Sequence, residues 1–438
     1  MPTLELALRL AGNSKHQHST GEDISPLRIA LQTLDGMVAG GIYDQVGGGF
    51  FRYSVDAQWQ IPHFEKMAAD NGLLLALLCQ ANIASGSGRY RRVIDQTAAW
   101  VMDRMQDSNG GYFTSLAADA HVNGQPASDL VEGGYYLWSS EEIDTALTTE
   151  QAQIIKLYFG MDGNPNCHGR WHPNAVRPVE EIATETGLSV KRVVIALSGG
   201  LQTLAAERQK RTAPLQDRKI LTAWNGLLIR GMADASRETG NQTYLRSAEK
   251  ALEWLREQHW QDGSLQASSY QGVVTEDGFL DDYVMLMDGI LALLQCRWSD
   301  DDFALLLQLA NRVMELFTTA EEDGLRFTCA QREQLLVRLR PFSDDALPAG
   351  NAIAARVFGW LARLTGDRRF GELRDQIFAG SWQQVNEMPL AHAGLLAALQ
   401  DDLDPPPLVV LCGQPGQFAP WNTVIRDHLG VRGYCLWV

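Results

Sequence analysis

The sequence predicts an all-α fold in which helical hairpins close into an (α/α)6 toroid, and three observations carry that prediction. Ser85-Gly86-Ser87-Gly88-Arg89-Tyr90, Thr239-Gly240-Asn241-Gln242-Thr243-Tyr244 and Thr365-Gly366-Asp367-Arg368-Arg369-Phe370 read alike. Each follows an apolar run and opens another with apolar residues at three-, four- and seven-residue spacings, the mark of amphipathic helices. The connections between these units are long and polar, whereas the turns within them are short. A lone hairpin cannot bury its own apolar face, so a recurring hairpin implies stacked neighbours.

Taken in chain order, Leu4–Leu10 and Ile24–Val38 form a first pair. Leu73–Ile83 runs into the first of the three turns, and Val93, Trp100 and Val101 mark the returning helix. Helical material follows around Glu141–Phe159 and Val190–Lys210. Leu227–Ala235 pairs with a helix carrying Ala248, Leu252 and Leu255; Asp282–Arg297 pairs with Asp301–Phe317 through Trp298-Ser299-Asp300. Ala352–Leu364 pairs with a helix carrying Leu373 and Ile377, and Pro389–Leu399 ends the series. The total is about six pairs, enough to close a ring; an open solenoid is the alternative, and would have to cap both ends. Gly86, Gly240 and Gly366 stand where a helix ends in the left-handed conformation, and the aromatic four residues on can pack back over the pair. Residues 1–400 therefore form the toroid, with an insertion at about 160–213. Residues 401–438 hold a linker, a strand at Leu408–Leu411 and a small incomplete appendage.

The chain has 438 residues, 45% of them hydrophobic, and a net charge of −16. Such a balance argues against binding nucleic acid or an anionic membrane surface, both of which need a concentrated basic field. No apolar run reaches the roughly 20 residues of a membrane span, and the start shows no secretory leader. Six scattered cysteines without a CxxC pair fit a reducing compartment, so the expectation is a cytoplasmic protein.

In an array of antiparallel hairpins all the long connections lie at one end. They are Gly40–His63, Asp217–Lys219 leading to Trp224-Asn225-Gly226, Gly278–Tyr283, Ser343–Asn351 and Met388–His392. His63 and Glu65 stand at a loop-to-helix junction, where His63 would serve as general acid or base and Glu65 would orient it. The structural reading of the same pair is first-turn charge at a helix start. Asp281 suits a helix N-cap and Asp282 would face the cleft, where Asp282 with Glu65 or Asp44 could supply the two carboxylates of glycoside hydrolysis. Tyr43, Tyr53, Trp59, Trp224, Asn225 and Tyr283 offer the flat faces and polar tips of a sugar site, each with an alternative place in the core. Arg52, Asp44, Asp217, Lys219 and Asn351 are further candidate contacts; Asp217 with Lys219 reads equally as a loop ion pair, and Asn351 as a cap. His392 is a candidate second acid/base or a structural histidine. Cys167, His168 and His172 show one side of a zinc set only, so no metal is expected. Gly47-Gly48-Gly49 fits neither phosphate-loop nor dinucleotide spacing, and no cofactor is expected.

GGIYDQVGGGFFRYSVDAQWQIPHFEKM at 40–67, EGGYYLW at Glu132–Trp138, DRKILTAWNGLLI at Asp217–Ile229, GFLDDY at Gly278–Tyr283 and LPAGNA at Leu347–Ala352 occur in this order. Together they resemble the thioredoxin-domain-containing family that includes spermatogenesis-associated protein 20 and the bacterial YyaL-type proteins, over about residues 2–400. The resemblance implies a toroid similar to N-acylglucosamine 2-epimerases and six-hairpin glycosidases. Family members usually begin with a thioredoxin-like domain that this chain lacks, which suggests a separate thioredoxin-like partner. Phe51 stands where the family usually has His, removing one candidate base. The expected function is carbohydrate processing at the loop-rich end: epimerisation or isomerisation by proton transfer, or hydrolysis. The alternative is a non-catalytic binding or scaffold protein that partners a thioredoxin-like domain, its cleft plugged by Phe51 and its aromatic neighbours.

Overall fold

A computed structural model describes residues 1–11, 25–121, 130–319, 323–330, 336–413, 421, 424–425 and 428–438. The helices are α1 (Pro2–Ala11), α2 (Pro26–Ala39), α3 (Ala68–Ser85), α4 (Arg91–Trp100), α5 (Ser140–Ala146), α6 (Thr149–Tyr158), α7 (Val179–Thr186), α8 (Val190–Gln209), α9 (Thr222–Thr239), α10 (Gln242–Gln258), α11 (Leu280–Cys296), α12 (Asp300–Phe317), α13 (Gly350–Thr365), α14 (Arg368–Glu387) and α15 (Ala393–Leu403).

Six of them form a closed inner ring. α1 packs on α3, α3 on α9, α9 on α11, α11 on α13, α13 on α15, and α15 returns to α1. Five helices form the outer layer, each against its hairpin mate: α2, α4, α10, α12 and α14. Closure buries α3, α9 and α11 almost all round, which is why their sequences are apolar or small on nearly every side. The predicted turns are present. Gly86, Gly240 and Gly366 end α3, α9 and α13 at φ of 60°, 75° and 72°, and Tyr90, Tyr244 and Phe370 are buried behind them. Ser25 and Ser299 cap α2 and α12 by accepting the amides of Arg28 and Asp302.

Glycine sets the spacing on one side of the ring. A Cβ on Gly72 of α3 would sit 2.7 Å from the Leu227 backbone of α9, and one on Gly226 would sit 2.5 Å from the Met285 backbone of α11. A Cβ on Gly231 or Gly289 would in turn meet the Gly72 or Gly226 carbonyl oxygen, at 2.5 and 2.7 Å.

Two expectations change. The helices within 140–209 do not join the ring: α5–α8 build a separate core around Trp138, Ile143, Ile155, Ile182, Val193 and Leu204. The sixth inner helix is instead the short α15. In the tail, Leu408–Leu411 pairs in parallel with Tyr434–Trp437. Tyr434 stacks on Trp360 at 3.7 Å and Arg432 bonds Asp401 and Asp404, so these residues dock on the short-turn end of the ring.

Candidate active site

At the loop-rich end, Pro62–His63 pairs antiparallel with Tyr53–Ser54, setting His63 opposite Tyr53. The two rings stack at 5.0 Å. His63 Nδ1 lies 2.6 Å from Glu132 Oε1. A carboxylate can only accept here, so Nδ1 carries the proton and Nε2 is left as the basic nitrogen. Among the described residues Nε2 has no hydrogen bond; Glu65 Oε2 lies 3.6 Å away and accepts from Arg52 Nη1 at 3.0 Å. The His63 side chain is 27% exposed, accessible yet held.

Asp70 lies buried in the first turn of α3, near enough to Glu65 and Arg52 for both charges to act on it. Burial pushes its carboxyl up to about 6, with Glu65 adding to the rise and Arg52 opposing it. Its Oδ2 is buried without a hydrogen-bond partner. A carboxyl raised to about 6 keeps a minor protonated fraction at pH 7, which general acid catalysis can draw on.

Neither Asp281 nor Asp282 takes its expected place. Asp282 is the cap: its carboxylate accepts the amides of Phe279 at 2.8 Å and Ala223 at 3.0 Å, so it joins α11 to α9 instead of facing a cleft. Asp281 has a buried Oδ1 without a partner, close against Gly350 at the start of α13. Burial raises its carboxyl to about 6.

Several candidate contacts are framework. Asn225 Oδ1 accepts from Tyr112 N at 2.7 Å, and its Nδ2 donates to the Tyr112 and Leu221 carbonyls. Asn351 does the same for Leu325 and Pro341. Tyr283 OH receives the Leu265 amide from the buried face of α11. Tyr43 is buried, with its hydroxyl on Gln96 at 2.6 Å. Asp44 is enclosed by Lys66 and Arg208, at 2.7 and 2.8 Å. Burial works against its charge, yet the two cations hold the carboxyl far below the usual range. Asp217 and Lys219 form an ion pair on the surface at 3.1 Å. Trp59 takes a left-handed φ of 62°, and its carbonyl accepts the Gly41 amide. Trp224 is half-buried over the ring axis. Of the residues expected at the site, His63, Glu65, Arg52 and Tyr53 come together.

The axis below them is filled. Ala69, Leu73, Leu227 and Met285 form an apolar plug bordered by Trp224 and Leu347, and beneath it Glu5 bonds Arg230 and Arg356. Phe51 does not plug the mouth; it is core, packed on Phe64, Tyr136 and His172. His172 Nε2 donates to the Gly41 carbonyl at 2.7 Å, and among the described residues no group of three or more His, Cys, Asp or Glu is placed to hold a metal ion. His392 is buried between Ser343 and the Met388 carbonyl.

Glu132, Asp70 and Arg208 carry no role in the sequence reading, and Lys66 only that of first-turn charge beside Glu65. Glu132 opens EGGYYLW and Asp70 follows FEKM, so position within the motifs was the available signal.

No protein-family model matches the chain. It is similar to spermatogenesis-associated protein 20 of Rattus norvegicus, 29% identical over 421 residues, 89% of this chain and 53% of that protein. The Homo sapiens protein is 29% identical over 419 residues, 88% of this chain and 53% of that one. The resemblance drawn from the five motifs therefore holds along most of the chain, and the chain spans about half the length of these relatives. Among solved structures it is similar to a sugar epimerase from a ruminal bacterium, with TM-score 0.43, 10% identity and 79% and 82% of the two chains covered. The unsaturated glucuronyl hydrolase of Bacillus sp. GL1 gives TM-score 0.41, 12% identity, and 74% and 66% covered. These values bear on neither site nor reaction. No described helix is long and apolar enough to cross a membrane.

Proposed function

We propose that the chain is a carbohydrate-processing enzyme that moves a proton on a reducing sugar, epimerising or isomerising it at the loop-rich end of the ring. The observation that carries this reading is the His63–Glu132 couple, with a free basic Nε2 on an accessible patch. Nε2 would take the proton from the carbon beside the open-chain carbonyl while Glu132 stabilises the resulting imidazolium. Asp70, its carboxyl raised to about 6 by burial, would give its proton to the carbonyl oxygen from its protonated fraction, forming an enediol. Return of the proton from His63 Nε2 to the neighbouring carbon, with Asp70 taking up the 2-hydroxyl proton, gives the isomer; return to the same carbon after the enediol has turned its other face to Nε2, with Asp70 taking back the 1-hydroxyl proton, gives the epimer. Hydrolysis fits less well, because the carboxylate expected to oppose Glu65 or Asp44, Asp282, is spent on capping.

The filled axis supports a second reading, a non-catalytic ring that binds a partner such as a thioredoxin-like protein. The two separate in D2O. The folded chain is incubated with a panel of reducing mono- and disaccharides, and loss of the C2 proton signal is followed by NMR. Exchange on one sugar class, absent in His63→Ala at an unchanged melting temperature, is expected. No exchange on any sugar by the folded chain would leave the scaffold reading.

A further inference from the structure

A cleft of about 550 Å³ opens between α4 of the outer layer and α8 of the inserted helices; it shares loops with the loop-end patch, but His63, Glu65 and Glu132 do not line it. Its two walls differ in chemistry. On the α8 side Val194, Leu197 and Leu201 recur at three- and four-residue spacings and face Trp100 and Ala99 of α4. Val194 is 47% exposed, whereas Leu197 is buried in the inserted core and Leu201 packs against it, so the stripe is anchored from behind and open to the cleft at Val194. Uncovered apolar surface rimmed by charge marks a binding site more often than a solvated face does.

The polar side is cationic. Lys66, Arg92, Arg104 and Arg208 line the cleft against two carboxylates, Asp44 and Asp103. Asp44 has no capacity to spare: it accepts from Lys66, Arg208 and the amides of Val46 and Gly47. Asp103 is exposed at the rim. Among the described residues Arg92 bonds Gln96 alone, and the Arg104 guanidinium has no ion pair or hydrogen bond. Arg104 is also set by unusual backbone. After Trp100 the helix widens into a π turn, Val101–Met105, that carries Asp103 and Arg104. Single π turns within helices are rare and concentrate at functional sites.

We propose that this cleft binds a small amphipathic anion, a carboxylate or phosphate on a hydrocarbon body, with its head on Arg104 and its body along Val194, Leu197 and Leu201. A second, peripheral ligand would thus contact the inserted helices and the outer layer together. The site is independent of the sugar reaction and can stand or fall without it.

Calorimetric titration of the whole folded chain with octanoate, octyl phosphate and 1-octanol tests this. Saturable one-site binding of octanoate or octyl phosphate is expected, without comparable binding of octanol; the tighter of the two anions identifies the head group. Arg104→Gln should weaken the anion about tenfold or more, the scale of one charge-assisted bond. Val194→Asp, at an exposed position that leaves folding intact, should weaken it as well by placing a like charge on the apolar wall. Absence of anion binding, octanol binding as tightly as octanoate, or an unchanged Kd in folded Arg104→Gln would each overturn the proposal.

Discussion

Asn225 grips the backbone of Tyr112 at both ends, its Oδ1 accepting the amide at 2.7 Å and its Nδ2 donating to the carbonyl at 2.9 Å. The same grip recurs as Asn71 on Phe50 and Asn351 on Leu325, always near the start of an inner helix. The long connections would otherwise have no regular ladder there, and these side chains substitute for one.

Asn225→Ala should therefore destabilise the fold by about 3 kcal/mol, because buried Tyr112 N–H and C=O groups lose their partners in one step. Asp217→Ala, at the surface ion pair on the approach to the same helix, should cost less than about 1 kcal/mol. Urea unfolding measures both, and equal midpoints for the two variants would refute the clamp as a stabilising device.

Gly226→Ala probes the ring itself. The added methyl would lie 2.5 Å from the Met285 backbone, and helix backbones fixed on both sides cannot retreat as a side chain would. A loss of about 3 kcal/mol or failure to fold is expected, at the upper end of overpacking costs. Gly36→Ala, whose Cβ would meet nothing within 4 Å, should instead hold or raise the melting temperature.

The hairpins were legible because helical period and glycine turns are local properties of the chain. Closure by α15, and the exclusion of α5–α8 from the ring, depend on contacts between distant segments that periodicity does not encode. The site was legible to the extent of His63 and its neighbours in one loop. Glu132, 69 positions away from His63, is brought to it by tertiary folding. Asn225, Asn351 and Asp282 carry the residue types of a sugar site but spend them on backbone amides, and one sequence shows the residue, not its partner.

Asp44 should prove indispensable to folding. Its carboxylate sits between Lys66 and Arg208 with almost no exposure, and the Lys66 ammonium lies 4.7 Å from the Phe51 ring centre and 5.0 Å from that of Trp100. Burial lowers Lys66 to about 8 even with Asp44 supporting its charge. Asp44→Asn would leave two buried cations without their anion, at a cost of about 3–5 kcal/mol. Thermal melts should show a much smaller loss for Asp44→Asn combined with Lys66→Met, which removes one of the stranded charges; equal losses would contradict the triad account.

Stability should vary little between pH 6 and 4 for a reason that a pair of substitutions exposes. His172 and His259 are buried and lowered to about 4, so below about 6.5 the unfolded chain takes up protons that the folded one refuses, and stability falls with pH. Asp70 and Asp281 are raised from 3.8 to about 6. There the folded chain takes up protons that the unfolded one refuses until lower pH, so stability rises as pH falls through the same window. The two pairs offset each other. Replacing both carboxyls, Asp70→Asn with Asp281→Asn, removes a burial penalty of about 3 kcal/mol per site that is present at pH 8 and mostly gone at pH 4, a shift of about two pKa units at 1.4 kcal/mol each. The doubly substituted chain should then gain stability over its parent at pH 8, lose that advantage towards pH 4, and show the histidine-driven decline uncovered. Denaturant midpoints at the two pH values decide it: an advantage of the same size at both would mean that these carboxyls titrate normally, and would remove Asp70 as the proton donor of the proposed reaction.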